Sequence, residues 1–251
     1  MPDSRAPARL GPVGVVYGIY TWAAFAVCAL FAVLFTLLVP GLERRRTMVT
    51  ICARLPFRLA AIPVDVRGFA KIPPGACVVV ANHASYIDGV LLQAFLPPRF
   101  SYVIKGEVQN VPVMGFLLRR IGSRFVERFD ASGSARDARQ LMKAAQSGDS
   151  LAFFPEGTFN AEPGLGKFRA GAFAAAINAG VPVVPVVISG SRTVLPATRI
   201  LPRHSSLGIE ILDPIEPSDE AYSSSRTLSA LARRRILAVL DEPDLQAGRG
   251  D

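Results

Sequence analysis

An uncharged apolar stretch near the start of the chain is the strongest hydrophobic pattern in the sequence. No charged residue lies between Arg9 and Glu43, and residues 15–38 are mostly Ala, Val, Leu and Phe. Such a stretch exceeds the roughly 20 apolar residues that cross a bilayer as a helix. Aromatic residues that suit an interfacial belt stand near its start: Tyr17, Tyr20 and Trp22. The pattern predicts a membrane-associated, transmembrane-type helix over about residues 15–39.

The residues after this helix predict its orientation. Residues 44–46 are three arginines, which by the positive-inside rule place the rest of the chain on the cytoplasmic face, that of the inner (plasma) membrane in a bacterium. Residues 47–62 form a shorter apolar segment with Arg54, Pro56 and Arg58, which favours a position among lipid headgroups. A signal peptide is disfavoured, because no small-residue cleavage site follows the run. A hairpin that dips into one leaflet remains an alternative to a true span.

From Pro63 the chain alternates short β-rich runs with helical runs, which is typical of an α/β domain. The predicted strands are 76–81, 101–104, 123–127, 151–154, 181–188 and 207–212. The predicted helices are 89–95, 113–120, 135–145, 168–178 and 226–240. We therefore expect an α/β fold with a mixed central sheet flanked by helices. The expected units are a membrane anchor (1–62), an α/β domain (63–242) and a polar tail without structure (243–251).

Composition narrows the class of partner. The chain has 251 residues, half of them hydrophobic, enough for one sizeable core. Its net charge of +8 suits an anionic membrane surface and anionic substrates. Nucleic acid is disfavoured, because no aromatic-interleaved basic platform or helix-turn-helix pattern appears. The three cysteines, Cys28, Cys52 and Cys77, lack metal-ligand spacing and predict neither a metal site nor a disulfide framework.

His83 and Asp88, in the run Asn-His-Ala-Ser-Tyr-Ile-Asp over 82–88, form the most informative pair in the sequence. A histidine beside a carboxylate is a general base held in one tautomer. On one continuous helix a five-residue offset would place the two side chains about 140° apart. The spacing therefore favours a turn after the strand 76–81, with Asp88 in the first turn of the next helix. Taken alone, the pair would be read as a buried histidine near a chance acid.

Three further blocks follow that pair in order: Gly-Ser-Arg-Phe-Val-Glu-Arg at 122–128, Phe-Phe-Pro-Glu-Gly-Thr at 153–158 and Val-Pro-Val-Val-Pro-Val at 181–186. Together with His-x4-Asp they resemble the four motif blocks of the glycerolipid acyltransferase family, of the 1-acyl-sn-glycerol-3-phosphate acyltransferase type. The resemblance covers about residues 63–193. Glu127 stands where the family often has Asp, and Phe159 where it has Arg or Ser. Neither departure changes His83 or Asp88 themselves, but both bear on the choice of acceptor.

The resemblance implies acyl transfer from acyl-CoA or acyl carrier protein to the free hydroxyl of a lysophospholipid. A thioester is already activated, so direct attack needs no enzyme nucleophile, and the sequence contains no Gly-x-Ser-x-Gly elbow. His83 is then the general base, and Asp88 orients it and stabilises the imidazolium. Base catalysis of this kind contributes roughly 10²–10⁴-fold. No cofactor beyond the acyl donor is expected, and the oligomeric state is left open.

Substrate binding is predicted for residues in and near the second and third blocks. Arg128 is expected to hold the acceptor phosphate through its bidentate guanidinium, although a solvated surface arginine would look the same. Glu156 is expected to orient Arg128 or to accept a bond from a glycerol hydroxyl. Gly157 and Thr158 offer backbone and hydroxyl donors for the phosphate, the simpler alternative being a turn with a helix cap. Further candidates are Lys105 and Phe125.

The sequence is compatible with several functions. The first is acylation of lysophosphatidic acid to phosphatidic acid. The second keeps the chemistry but uses another lysolipid, such as lyso-ornithine lipid, because the four blocks do not define the acceptor pocket. The third is a non-catalytic lipid-binding or scaffold protein on the membrane, which the intact His83/Asp88 pair disfavours. The fourth is a hydrolase, which the missing nucleophile disfavours.

Overall fold

The computed structural model describes residues 11–126, 149–159 and 161–247. A seven-stranded sheet forms its centre, and helices cover both faces. The strands are β1 (Val64–Arg67), β2 (Val78–Ala81), β3 (Phe100–Lys105), β4 (Arg124–Val126), β5 (Ser150–Phe153), β6 (Val183–Ser189) and β7 (Leu207–Ile211). The α-helices are α1 (Pro12–Leu38), α2 (Leu42–Leu59), α3 (Asp88–Phe95), α4 (Met114–Arg120), α5 (Gly171–Ala179), α6 (Ser191–Val194) and α7 (Ser225–Leu237).

The sheet is mixed, as predicted. Its order is β1-β7-β6-β2-β5-β3-β4. The strands from β6 to β4 in that order run parallel, whereas β7 is antiparallel to β6 and β1 is parallel to β7. The parallel strands β2 to β6 therefore end at one edge of the sheet, here called the carboxyl edge. Ligand sites of open α/β sheets gather at such an edge.

Side chains of β2 alternate between two apolar cores, because successive residues of a strand point to opposite faces. Val79 packs in a core with α2 and α3, which includes Phe57 and Leu91. Val78 packs in the core on the other face, with α5 and α7, which includes Phe173. A strand buried on both faces has a continuous apolar run in its sequence, and this run is why the sequence predicts β2.

The helices α1 and α2 form an antiparallel hairpin on the α3 face of the domain. The side of α1 that is buried is made of small residues: Gly18, Thr21, Ala24, Cys28, Ala32 and Thr36. Phe25 packs against Phe57 of the core, but most of the large apolar side chains point outward: Val13, Val16, Ile19, Val27, Leu30, Phe31, Leu34, Phe35, Leu37 and Leu38. Among the described helices, α1 alone is long and apolar enough to cross a membrane. This arrangement is the reverse of a helix that packs in a water-soluble core.

The predicted interfacial segment 47–62 is the larger part of a single 18-residue helix, α2. Pro56 lies inside this helix and does not interrupt it. A proline near the end of a helix removes only one late hydrogen bond, and the Phe57 side chain that follows is almost fully buried beside α3. The end of α2 therefore packs into the same core as the sheet, while the proposed division at residue 62 stays a prediction.

Two further differences separate the predicted elements from the structure. Strand β1 was not predicted, because its four residues Val64–Arg67 alternate between half-buried and exposed and include two charges. The tail after α7 was predicted to lack structure, but Leu165 donates its N–H to the carbonyl of Pro243 at 2.9 Å. Leu245 in turn donates to the carbonyl of Leu165 at 3.2 Å. The predicted helix 135–145 lies outside the described residues.

Candidate active site

The predicted catalytic pair is formed at the carboxyl edge. His83 lies on the turn after β2, and Asp88 is the first residue of α3. The Nδ1 atom of His83 lies 2.9 Å from Oδ2 of Asp88. The Asp88 side chain is completely buried, whereas 18% of the His83 side chain is exposed. The pair thus has one buried end and one end open to a substrate.

Asp88 also holds the turn that carries the histidine. Its Oδ2 atom accepts the backbone N–H of Ala84 at 2.7 Å and of Ser85 at 2.8 Å. A carboxylate only accepts, so Nδ1 of His83 carries the shared proton. In the neutral ring this leaves a lone pair on Nε2, and no described residue hydrogen-bonds that atom. Asp88 therefore selects the tautomer that leaves the lone pair on Nε2.

Aromatic rings enclose the imidazole on two sides. The ring of Phe154 stacks on His83 at 4.1 Å between centroids, with 18° between the planes. Phe159 makes an edge contact with His83 at 4.7 Å, and the exposed ring of Tyr86 packs edge-on against Phe159 at 4.7 Å. In the sequence Phe159 is only a departure from the family pattern, and no local signal indicates its contact with the histidine.

Glu156 binds the backbone of the turn that carries His83, here called the catalytic turn. Its Oε1 atom accepts the backbone N–H of His83 at 2.8 Å, and Oε2 accepts the N–H of Gly166 at 2.7 Å. Burial raises the pKa of Glu156, although the two N–H bonds act in the opposite direction. The expected pairing of Glu156 with Arg128 or a glycerol hydroxyl stays a prediction, because Arg128 lies outside the described residues. The two N–H bonds give Glu156 a positioning role.

The two residues expected to donate to the phosphate, Gly157 and Thr158, have different surroundings in the structure. Gly157 has a positive φ of 81° and donates its N–H to the carbonyl of Phe154 at 3.0 Å. This closes a tight turn that favours glycine and uses the amide expected for the phosphate. The side chain of Thr158 is exposed and stays available to a ligand. The turn interpretation therefore describes Gly157 better than the ligand interpretation.

The other predicted site residues lie on neighbouring strands. Lys105 is the last residue of β3, at the carboxyl edge, and forms an ion pair with Glu107 at 2.5 Å. Phe125 is half-buried on β4, where it pairs with Ile104 of β3. Arg128 lies outside the described residues, and its role stays a prediction.

The segment after α7 supports the loop that holds Glu156. Arg233 donates to the carbonyls of Leu165 at 2.8 Å and of Gly166 at 3.0 Å. The same guanidinium pairs with both carboxylate oxygens of Asp244, which lowers the pKa of Asp244 to about 2. Hydrogen bonds thus connect Asp244 to Arg233, to the loop at Gly166, to Glu156 and to the backbone of His83. We call this series of contacts the C-terminal strap.

Comparison with known proteins identifies the family of this chain. The family described as Acyltransferase matches residues 63–189. A 1-acyl-sn-glycerol-3-phosphate acyltransferase of Haemophilus influenzae is 34% identical over 72% of this chain and 74% of its own length. A lyso-ornithine lipid O-acyltransferase of Pseudomonas aeruginosa is 37% identical over 55% of this chain and 52% of its own.

Two further comparisons concern length and fold. A chloroplastic 1-acyl-sn-glycerol-3-phosphate acyltransferase of Brassica napus is 30% identical over 60% of this chain, which spans 44% of that relative. The chain thus spans about half the length of the plant relatives it matches. The crystal structure of the 1-acyl-sn-glycerophosphate acyltransferase from Thermotoga maritima shares the fold, with a TM-score of 0.73 at 22% identity over 90% of this chain and 96% of that one. The match over half of the chain and the Haemophilus relative make this chain a member of the acyltransferase family.

Proposed function

We propose that this chain transfers an acyl group from acyl-CoA or acyl carrier protein to the free hydroxyl of a lysophospholipid. The preferred acceptor is 1-acyl-glycerol-3-phosphate, and the product is phosphatidic acid. The observation that carries the proposal is the contact of His83 Nδ1 with buried Asp88, which leaves Nε2 as a base at the open carboxyl edge. The Haemophilus and Brassica relatives, which are named for this reaction, support the choice of acceptor.

The proposed reaction is a direct transfer. Nε2 of His83 takes the proton of the acceptor hydroxyl while its oxygen attacks the thioester carbonyl, and Asp88 stabilises the imidazolium. The tetrahedral intermediate then expels the thiolate, which receives the proton from Nε2. One C–O bond forms, one C–S bond breaks, and the proton ends on the thiol.

The buried serine and cysteine of the segment that carries the pair do not suit an acyl-enzyme route. Ser85 is fully buried and donates its hydroxyl to the carbonyl of Leu195 at 2.6 Å. Cys77 is fully buried just before β2, and burial raises the pKa of its thiol. A thiol in such surroundings is inert, because the thiolate is the reactive form. Both observations favour attack by the acceptor itself.

The proposed acceptor site extends from His83 along the carboxyl edge toward β3 and β4. Arg128 is assigned to the phosphate, because a guanidinium binds phosphate through two parallel bonds. Lys105 contributes positive charge at the end of β3. It is ion-paired with Glu107, and the side chains of both residues are more than a third exposed. Thr158 offers an exposed hydroxyl beside the His83 turn. The assignment of Phe125 to the acceptor wall belongs to the same proposal.

Membrane association through the α1–α2 hairpin is the second part of the proposal. Large apolar side chains outside and small ones inside suit a helix whose solvent is lipid. The domain contacts α1 both at Gly18, beside Leu201, and at Thr36, whose carbonyl accepts two bonds from Arg120. These positions are about 27 Å apart at 1.5 Å per residue. If α1 crossed the bilayer perpendicular to its plane, these two contacts would require part of the domain to lie inside the membrane.

The hairpin is therefore proposed to lie along one leaflet, with the domain on the cytoplasmic face. Buried Arg46 of α2 supports a fixed attachment, since it donates to the carbonyls of Ile121 at 2.8 Å and Arg99 at 3.1 Å and to the hydroxyl of Ser101. Such contacts hold the hairpin to the domain at the end opposite the carboxyl edge. The acceptor lipid can then reach His83 from the same leaflet.

An alternative acceptor has one specific observation in its favour. Phe159, and not a basic residue, makes the edge contact with His83. A phenyl ring provides no charge for a phosphate, which suits a lysolipid without one. The Pseudomonas relative named for lyso-ornithine lipid shows that this family includes such an acceptor. The chemistry at His83 would be unchanged.

An acyl-transfer assay on the purified full chain tests both candidates. Lysophosphatidic acid and lyso-ornithine lipid are each offered with acyl-CoA and with acyl carrier protein, and products are identified by mass spectrometry. We expect phosphatidic acid as the major product. Preference for lyso-ornithine lipid would replace the first acceptor with the second. No product from any pair, with the fold intact, would leave the non-catalytic lipid-binding alternative.

A further inference from the structure

Ile200 is an aliphatic side chain that the fold presents to the outside. It is 82% exposed, in the loop 195–206 between α6 and β7. A single exposed aliphatic residue needs no explanation by itself. Ile200 differs because it adjoins the exposed apolar side of α1 and because its backbone is held in place.

Contacts with α1 fix this loop. The indole Nε1 of Trp22 donates to the carbonyl of Ile200 at 2.6 Å. Gly18 lies so close to Leu201 that a β-carbon there would be 2.8 Å from the β-carbon of Leu201. The N–H of Arg203 donates to the carbonyl of Val194 at 2.8 Å. The loop is thus preorganised, and the exposed side chain of Ile200 projects from it.

The loop is also joined to the catalytic turn. The hydroxyl of Ser85, two residues after His83, donates to the carbonyl of Leu195 at 2.6 Å. The connection from β6 to β7, which consists of α6 and this loop, lies at the carboxyl edge, where β2 also ends. A surface that contacts Ile200 therefore lies on the same side of the sheet as the open end of the catalytic pair.

We propose that the loop 195–206 is a second membrane-contact element, with Ile200 inserted at the boundary between headgroups and acyl chains. The partner is a lipid surface. The chemistry of the loop fits it, because an apolar tip flanked by Arg199 and Arg203 pairs insertion with attraction to anionic headgroups. Trp22, whose indole is partly exposed, adds the amphipathic ring typical of this depth. The proposal rests on the membrane association of α1 but not on the acyl-transfer reaction.

The depth of residue 200 in vesicles tests this proposal. The native thiols Cys28, Cys52 and Cys77 are all buried, so an Ile200→Cys variant of the full chain is labelled at position 200 by an environment-sensitive thiol dye. The matched control is Val239→Cys, an aliphatic position 43% exposed just after α7, the helix that packs on the opposite face of the sheet. Both variants are placed in vesicles that contain anionic lipid, and quenching is measured with brominated acyl chains and with aqueous iodide.

We expect the dye at position 200 to be quenched by lipid bromine and protected from iodide, and the dye at 239 to show the opposite. Equal iodide access at both positions would overturn the proposal. This readout needs no catalysis, so it stands if the assigned reaction fails.

A functional arm uses Ile200→Ser and Val239→Ser. Loss of one buried isoleucine weakens membrane partition by about tenfold. Ile200→Ser should therefore lower transfer to a vesicle-embedded lysolipid, with transfer to a short-chain, water-soluble acceptor unchanged. Val239→Ser should change neither. Equal losses on both acceptors for Ile200→Ser would assign the residue to the active site instead of the lipid surface.

Discussion

The catalytic turn and the N-terminal hairpin are held in opposite ways. Hydrogen bonds fix the turn: Asp88, five residues further on, binds the side chain of His83, and Glu156, 73 residues away, binds its backbone. The hairpin relies on close packing of small residues such as Ala24 and Ala32 and on a few bonds at its ends. A base requires a fixed direction, whereas a helix in lipid requires only the correct face. Single polar substitutions should therefore affect the turn strongly and the hairpin weakly.

The largest effect is expected for His83→Ala. Removal of the base should lower kcat by roughly 10²–10⁴-fold. The fold should be unaffected, because the histidine lies on a turn with part of its ring exposed. The matched control is His204→Ala, the other histidine, which is exposed and bonds the carbonyl of Ala61. Steady-state rates and thermal unfolding of both variants make the test. Near wild-type turnover of His83→Ala contradicts the mechanism.

Glu156→Gln should have the next largest effect. An amide cannot accept both N–H groups that Glu156 now accepts, and an unpaired buried donor costs about 1–3 kcal/mol. Because the lost bond helps to fix the turn that carries His83, the turn should become less well positioned, and kcat should decrease by about tenfold. The acceptor KM should change little, since the residue acts through His83. A rise in acceptor KM at constant kcat would show that Glu156 contacts substrate instead.

The same variant predicts a change in the pH dependence of stability. Because burial raises the pKa of Glu156, the folded state binds its proton more tightly than the unfolded state. The free energy of unfolding therefore falls as pH rises from the ordinary carboxyl pKa to the raised value. Glu156→Gln removes this titration, so denaturant unfolding across that range should show a smaller decline than in the wild type. An identical slope in both proteins contradicts the argument.

Arg128→Lys tests the acceptor end of the site. The variant keeps the charge but loses the paired N–H groups, so the acceptor KM should rise several-fold more than the donor KM. Arg226→Lys, at an exposed position at the start of α7, is the control and should change neither. An effect confined to the donor KM would move Arg128 away from the acceptor.

The smallest effect is expected at the C-terminal strap. Asp244→Asn breaks the paired contact with Arg233, and activity should fall by a few-fold through the loop at Gly166. The pKa of Asp244 is lowered to about 2, so its contribution to stability is present above the ordinary carboxyl pKa and is lost as pH falls toward 2. Asp241→Asn, at an exposed neighbouring position, should leave activity unchanged. Equal activities of the two variants would limit the strap to a structural role.

The sequence predicts the elements better than their contacts. The apolar run of β2 and the spacing of His83 and Asp88 are local signals, and both led to the correct strand and turn. The third motif block predicts Glu156 as a site residue but not its bonds to the backbones of His83 and Gly166, since the bond to Gly166 depends on a loop held by Arg233. Such contacts join residues far apart in the chain, and one sequence carries no record of them.

The N-terminal hairpin shows the same difference between predicted elements and unpredicted contacts. Hydropathy predicted the membrane character of α1, because composition alone determines it. The contacts of Trp22 with Ile200 and of Arg120 with Thr36 join residues 178 and 84 positions apart. No periodic pattern predicts such pairs. The choice between a span and a helix along one leaflet rested on these contacts and was therefore open in the sequence.

Direct attack at His83, without an acyl-enzyme, is the central claim and can be measured in a single turnover. The full chain is mixed with acyl-CoA alone or with acyl-CoA and lysophosphatidic acid, and released thiol and intact protein mass are followed together. We predict thiol release only with the acceptor, in equal amount to phosphatidic acid, at an unchanged protein mass, and no release from His83→Ala. A burst of thiol without acceptor, matched by an acyl adduct on the protein, would contradict the account.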